Sequence, residues 1–394
     1  MKKLLYIGGF DLPDGNAACH RAISNSKLFK MIGINSSLLG VSKSSNLEKG
    51  VVHQLGSKDG INMMVVNYPQ RAIDWLNFII GDSATLMHIK KNKPDIIIMY
   101  NYPAIASLRI HWLCKKSGIE SISDITEWYS SYNKNLIRRM IKWFDTTLRI
   151  NFVARLSKRV ITTSQYMTNF YESKGLKCLE LPTLFDVSEL IYNTQRPKET
   201  SELECIKLVY FGSPFDKSVA IHDNRQVKER LDKVISAVYN NHLKHNINLN
   251  IYGVTKSDFL DVYPDYSVVL ETLNKCVFFH GRVAHDELVS FISMADYSIF
   301  FRDDTRVNKA GFPSKLAESI TLGIPVITSD ISALKKYKDI AGVNLCSIGY
   351  ESQELDKILC KRLRNNSLPD RKYFDYRSYK VQAEGFFCFN GNEV

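Results

Sequence analysis

Short apolar, β-branched runs alternate with segments of helical period along almost the whole chain, and no other feature constrains its fold as much. In the first half, Leu4–Gly8, Ser37–Val41, Met64–Val66, Ile96–Tyr100, Ser121–Ile125, Val160–Thr163 and Cys178–Leu181 read as strands. In the second half Lys207–Phe211, Leu249–Tyr252, Val277–His280, Ser298–Phe301, Val326–Thr328 and Val343–Ser347 do so. Most are continuously apolar, as strands covered on both faces have to be. After the first strand, Ala18, Ala22, Leu28 and Ile32 recur at helical spacing. Repeated strand–helix units imply an α/β chain with parallel, doubly wound sheets.

The alternation breaks once. Tyr192–Glu204 is polar, holds Pro197 and lacks apolar periodicity, so it reads as a linker. The expected organisation is a Rossmann-like domain over 1–190, a second over 205–370, a terminal segment over 371–394, and a cleft between the domains. A chain of 394 residues gives each domain a core of its own. With 45% hydrophobic and 24% charged residues, it is neither disordered, collagenous nor a coiled-coil rod.

The eight cysteines are scattered with no CxxC pair, which fits a reduced, cytoplasmic protein and points to no zinc site. Lys2 and Lys3 precede the apolar run Leu4–Phe10 as in a signal peptide. The run is short, however, Asp11 follows it, and no small-residue cleavage site is present, so a first strand is expected there. No stretch approaches the ~18 apolar residues of a spanning helix.

The positive charge is concentrated. Lys134–Arg159 holds eight Lys or Arg and one acid, Asp145, and so contributes +7 of the formal +11. Ile137, Ile141, Phe144, Leu148 and Phe152 recur there at helical spacing, so an amphipathic helix with a basic, Trp-containing flank is expected. One reading is a helix packed on the core with a solvated charged face. The other is a patch of Arg138, Arg139, Lys142 and Trp143 that meets anionic headgroups or a phosphate-bearing acceptor, placing the protein reversibly at the inner face of a membrane. Without an accompanying nucleic-acid module, nucleic acid is not an expected partner.

Residues 277–328 carry the chemistry: strand, loop, helix, strand, a long polar loop, then a helix opening at Gly311-Phe312-Pro313-Ser314. A helix N-terminus presents unpaired N–H groups and about half a positive charge, which suits a diphosphate. Pro313 has no N–H, so the amides of Ser314 and Lys315 are the donors to expect. Glu318, further along that helix, is placed either to accept from a diol such as ribose or to face solvent as an ordinary helical Glu.

The order HGRV, a helix ending in MAD, a strand and then GFPSKLAES…GIPVI resembles the donor half of family 4 retaining glycosyltransferases. The resemblance runs over nearly the whole chain and implies the glycosyltransferase B fold, two Rossmann-like domains across a cleft, acceptor side first. Gly15 is similar to the family's glycine loop, LVYFGSP at 208–214 with Gly212 to its first donor-domain strand, and NIYG at 250–253 to a further glycine turn. Lys228, expected to open the helix VKERLDKVISA, matches a phosphate-binding lysine. The resemblance makes Arg282, Val283, Gly311, Phe312, Ser314 and Lys315 donor-binding, Glu318 the ribose partner, and 374–387 a helix crossing back to the first domain. It implies transfer with retention from a nucleoside-diphosphate sugar to a glycan or lipid-linked acceptor, as in bacterial surface-polysaccharide synthesis, without metal or cofactor. Electrostatic stabilisation of the leaving diphosphate then matters more than a nucleophile.

Two positions depart from the family pattern. Ala310 stands where an E-x7-E segment has its first Glu, which touches the donor sugar, and Ser213 stands where a phosphate cation is usual. Arg302 or Lys315 can replace that cation; each also reads as an ordinary exposed residue. Asp124 and Glu127 follow a strand whose carboxyl end faces the crevice, so they are candidates to orient a sugar, with Trp128 or Tyr129 stacking on it. The same residues fit a helix cap followed by core aromatics. Asp303 and Asp304 are adjacent, not spaced as DxD, and the turn GGFDLPDGNAA lacks GxGxxG, against a dinucleotide oxidoreductase. Other activities on the fold (a glycosyl phosphorylase, a nucleotide-sugar epimerase) and a non-catalytic nucleotide-sugar-binding protein remain as alternatives.

Overall fold

The computed structural model describes residues 1–13, 17–44, 47–129, 135–191, 205–217, 227–361 and 368–387. The linker read at 192–204 and Gly15 lie outside them, as does most of the charged stretch between Phe215 and Gln226.

Eight strands build the first sheet: β1 (Lys2–Asp11), β2 (Ile34–Ser42), β3 (His53–Lys58), β4 (Ile61–Asn67), β5 (Ile96–Tyr100), β6 (Glu120–Ile125), β7 (Arg159–Thr162) and β8 (Lys177–Glu180). Their order is β3-β4-β2-β1-β5-β6-β7-β8. All neighbours run parallel except β3 and β4, a hairpin at one edge. Helices cover both faces, so successive residues of one strand enter different cores. Leu4 and Tyr6 of β1 pack with Leu38, Ile98 and Phe29, whereas Leu5 and Ile7 pack with Leu39, Ile97 and Ile110. Burying one such side chain is worth about 1.5–3 kcal/mol, and this two-sided burial is what the unbroken apolar runs encode.

The second sheet has six parallel strands, β9 (Ile206–Phe211), β10 (Ile247–Tyr252), β11 (Val277–Gly281), β12 (Tyr297–Phe300), β13 (Val326–Ser329) and β14 (Val343–Cys346). Their order is β11-β10-β9-β12-β13-β14. The chain passes between the halves a second time near its end. Phe374 sits in the core of the second domain, and Tyr376, Ala383, Phe386 and Phe387 sit in that of the first. Phe185 donates its backbone N–H to the Phe374 carbonyl at 2.9 Å and accepts from the Tyr376 N–H at 3.1 Å. The Phe387 ring meets Phe29 edge-on at 5.0 Å.

Candidate functional site

The carboxyl ends of both sheets face one cleft, the place where ligands bind in doubly wound folds. On the second domain the turns after β9 and β10 are pressed together. A Cβ on Gly253 would lie 2.6 Å from the Gly212 carbonyl oxygen, and one on Gly212 would lie 3.0 Å from the Lys315 Cε. With φ of +99° and +96°, both positions need glycine on conformational grounds as well.

Helix Ser314–Thr321 follows the turn through Gly311 and Pro313, and no side chain caps its N-terminus. Its residues from Lys315 to Thr321 are buried throughout. Glu318 is only 8% exposed and its Oε1 has no hydrogen-bond partner. Burial pushes its carboxyl up to about 7, against the smaller opposing pull of Lys315. The solvent-facing reading of Glu318 is therefore corrected: it is a buried acceptor waiting for a donor. The Phe312 ring packs on Tyr337 and Phe374, so its side chain anchors the turn in the core.

Lys315 and Arg302, expected as exposed cations if not ligand-binding, are buried at 7% and 3%. Both pair with Glu229, which no motif singles out. Arg302 Nη2 donates to Glu229 Oε1 at 2.8 Å, Lys315 Nζ donates to Oε2, and the Tyr210 hydroxyl also donates to Oε2 at 2.7 Å. Burial alone would raise the Glu229 carboxyl, but Lys315 and Arg302 outweigh it and hold it down at about 2. Burial lowers the Lys315 ammonium to about 8, partly offset by Glu229. The Nε and Nη1 of Arg302 have no partner.

Lys228 does not open a helix. The helix begins at Leu231, and Lys228 lies in the turn before it, where its N–H and that of Glu229 donate to the Pro214 carbonyl, both at 3.1 Å. Its side chain is half exposed and reaches Glu127 of the first domain, Nζ to Oε1 at 3.2 Å. Asp124 is fully buried. Arg21 donates to both its oxygens, at 2.9 and 3.1 Å, and the Tyr6 hydroxyl to one of them. Arg21 also donates to the carbonyls of Leu181 and Pro182 at 2.7 and 3.1 Å. Asp124 thus ties helix Ala17–Met31 to the sheet ends, which corrects its placement as a sugar-orienting group. Trp128 takes the Arg306 guanidinium on its ring at 4.8 Å, and Tyr129 takes that of Arg149 at 5.1 Å.

Ala310 is fully buried in a cluster of the first domain, with Ile125, Ile150 and Met167, and its carbonyl accepts from the Ser164 hydroxyl at 2.8 Å. Where the family pattern has a sugar-binding Glu, this chain has a plug between the domains. Val283 is half-buried against the second core, and Arg282 beside it is exposed.

The carboxylates of Asp303 and Asp304 are engaged by Arg230 and Lys233 and by Ser332 and Lys309. Among the described residues, one group has metal-ligand chemistry, His245, Asp356 and Cys360, with ligand atoms within 4.8 Å. It lies at the far end of helix Leu231–Asn241 from Lys228, and Lys244 pairs with the same Asp356 at 2.9 Å.

The basic segment forms helix Leu136–Leu148 and then a turn over Arg149–Val153. Its apolar stripe does not pack on the core, which overturns the first reading: Ile137 is 69% exposed, Phe144 54%, and Met140, Ile141 and Phe152 are exposed as well. Arg138, Arg139, Lys142 and Trp143 are exposed beside them. No described helix is long and apolar enough to cross a membrane.

Residues 216–381 match the family model described as glycosyl transferases group 1. The fold is similar to that of a sucrose-phosphate synthase from Thermosynechococcus elongatus (TM-score 0.67, 13% identity, 98% of each chain covered). It is also similar to HepE from Anabaena in complex with UDP and glucose (0.59, 12%, 98% of this chain and 96% of that one). A third is the apo form of the lipopolysaccharide outer core galactosyltransferase WaaB (0.58, 14%, 97% and 99%). No curated protein matches the sequence. The chain thus has the glycosyltransferase B fold over both of its halves, and the stretch that matches the group 1 glycosyl transferases, residues 216–381, lies in the second.

Proposed function

We propose that this protein is a retaining glycosyltransferase that moves a sugar from a nucleoside-diphosphate sugar to a glycan or lipid-linked acceptor in polysaccharide assembly, at the inner face of a membrane. The observation that carries this reading is Glu318, a buried carboxyl with a partnerless oxygen, on a helix whose uncapped N-terminus opens at the carboxyl end of the second sheet. A diol supplies the missing donors, and a diphosphate on the same molecule meets the amides of Ser314 and Lys315. Lys228 and Lys315 add positive charge there, and Arg302, with two free nitrogens, is a third source. The chemistry is then charge stabilisation on the leaving diphosphate, for which no metal is invoked. UDP, bound by the similar HepE structure, is the first nucleoside diphosphate to try.

Membrane attachment is supported by the outward apolar stripe of helix Leu136–Leu148 flanked by Arg138, Arg139 and Lys142. A second reading, a nucleotide-sugar-binding protein without turnover, is favoured by one observation, the withdrawal of position 310 into the first domain's core. The two part on one experiment. Slow release of nucleoside diphosphate from a nucleotide sugar, lost in Glu318→Gln, supports the transferase; binding with no release in any donor of a panel supports the binding protein.

A further inference from the structure

Helix Ala72–Ile80 (AIDWLNFII) is apolar except for Asp74 and Asn77, yet none of its side chains is buried. Ile73, Trp75 and Leu76 are 53%, 41% and 52% exposed. Exposed apolar residues clustered on one helix in this way mark a surface that meets something apolar. Its inner residue Phe78 lies over the carboxyl end of β1, since a Cβ on Gly9 would be 3.7 Å from the Phe78 Cζ. The helix therefore sits on the cleft side of the first sheet.

A cavity of about 550 Å³ opens between this helix and the end of β4. Val66, Tyr68, Ile73, Phe78 and Ile80 give it apolar walls. Lys49, Arg71 and Arg109 stand at its edge, against two acids, Asp74 and Asp82. Asp74 is shared by Arg71 at 3.3 Å and Lys49 at 3.5 Å, and Asp82 caps the next helix through the Thr85 N–H at 2.9 Å. Arg109 donates to the carbonyls of Ile80 and Gly81 at 2.7 and 3.2 Å, which joins helix Ala104–Ser117 to this one. Asp145 of the basic helix accepts from the Ala104 N–H at 2.7 Å. Three helices are thus tied side by side, and the middle one adds exposed Ile105 and Trp112 to the apolar faces of its neighbours.

From this we infer that the acceptor is an anionic lipid, and that its hydrocarbon chain lies in the cavity behind helix Ala72–Ile80 with its phosphate at the Lys49, Arg71 and Arg109 edge. The inference rests on the transferase reading for the word acceptor, but the cavity's ligand is testable without a donor. An apolar trough with a cationic edge, continuous with an apolar face flanked by cations, fits a single chain drawn from a bilayer and fits a free glycan poorly. Each methylene buried there is worth about fourfold in affinity.

The experiment is isothermal titration of the whole protein with a short-chain isoprenyl phosphate below its micellar concentration, with methyl phosphate as the chainless comparison. The isoprenyl phosphate binds at least about tenfold tighter, and Asn77→Trp, which narrows the cavity from an exposed helix position, removes that advantage. The Leu76→Ser variant, altered at an exposed position outside the cavity lining, keeps the titration unchanged but recovers less protein on vesicles of phosphatidylglycerol and phosphatidylcholine. Equal affinity for the two phosphates, or an Asn77→Trp protein that folds and still prefers the isoprenyl phosphate, overturns the inference. Nucleoside diphosphate titrated into the same preparation reports on the donor site alone, so loss of that binding with the lipid preference intact removes the transferase reading and leaves the lipid cavity standing.

Discussion

Lys228 and Glu127 face each other across the cleft, Nζ to Oε1 at 3.2 Å, each from a different domain. The pair is partly exposed, so it contributes only about 0–1 kcal/mol to stability. A bound diphosphate would compete with Glu127 for the same ammonium and leave the carboxylate free beside the incoming acceptor.

Lys228→Ala should accordingly lower turnover by ~10²–10³, the usual loss for one preorganised charge donor, and leave the melting temperature nearly unchanged. Turnover and melting temperature measured on the same preparation decide it. Unchanged turnover would pass the role to Lys315 and Arg302.

Glu229 behaves differently because it is buried between two cations. Glu229→Gln leaves Lys315 and Arg302 side by side without a counter-ion, a loss of about 3–5 kcal/mol for a broken buried pair. Urea unfolding measures it. Since the folded carboxyl is held at about 2, below its ordinary 4.5, its contribution is present above pH ~4.5. The difference between wild type and variant should therefore shrink as pH falls toward 2.

Glu318 is raised to about 7, so it is largely protonated below neutrality in the free protein. A ribose diol donates best to the carboxylate, so the diol's share of affinity grows as pH rises through 7 and then levels. The ligand's phosphate titrates in the same range, which makes the ratio of wild-type to Glu318→Gln affinity for nucleoside diphosphate the quantity to follow by calorimetry. A ratio independent of pH would remove the ribose assignment.

Vesicle binding separates charge from insertion. At ~1 kcal/mol per engaged cation, reversing Arg138, Arg139 and Lys142 to Glu should abolish co-sedimentation with anionic vesicles at low salt. At ~0.5 M salt the wild type should retain part of its binding through the exposed apolar stripe, because the Debye length there falls well below 10 Å. Ile141→Ser with Phe144→Ser should remove that salt-resistant part.

Thirteen of the strands are legible in the sequence, most of them because burial on both faces leaves an unbroken apolar run. The other, β3, reads HQLGSK, is exposed along nearly all its length and contains Gly56, so it carries no such run and forms only by pairing with β4. The site is less legible. Lys228 and Glu318 stand out through the motifs around them, but the partners of Glu229 lie 73 and 86 residues away, a separation no local pattern reports. Burial of Glu318 is equally silent, since a Glu among helix formers looks the same whether the helix is covered or not. The basic helix shows its apolar stripe in the sequence, but not which way the stripe faces.

Ala310 belongs by chain to the second domain and by packing to the first, with the Ser164 hydroxyl on its carbonyl. To swing the domains apart, the protein has to draw that residue out of an apolar cluster and part Lys228 from Glu127 in the same movement. These two contacts latch the halves together across the cleft in the ligand-free molecule. A ligand that needs a wider cleft has to supply the free energy of that parting.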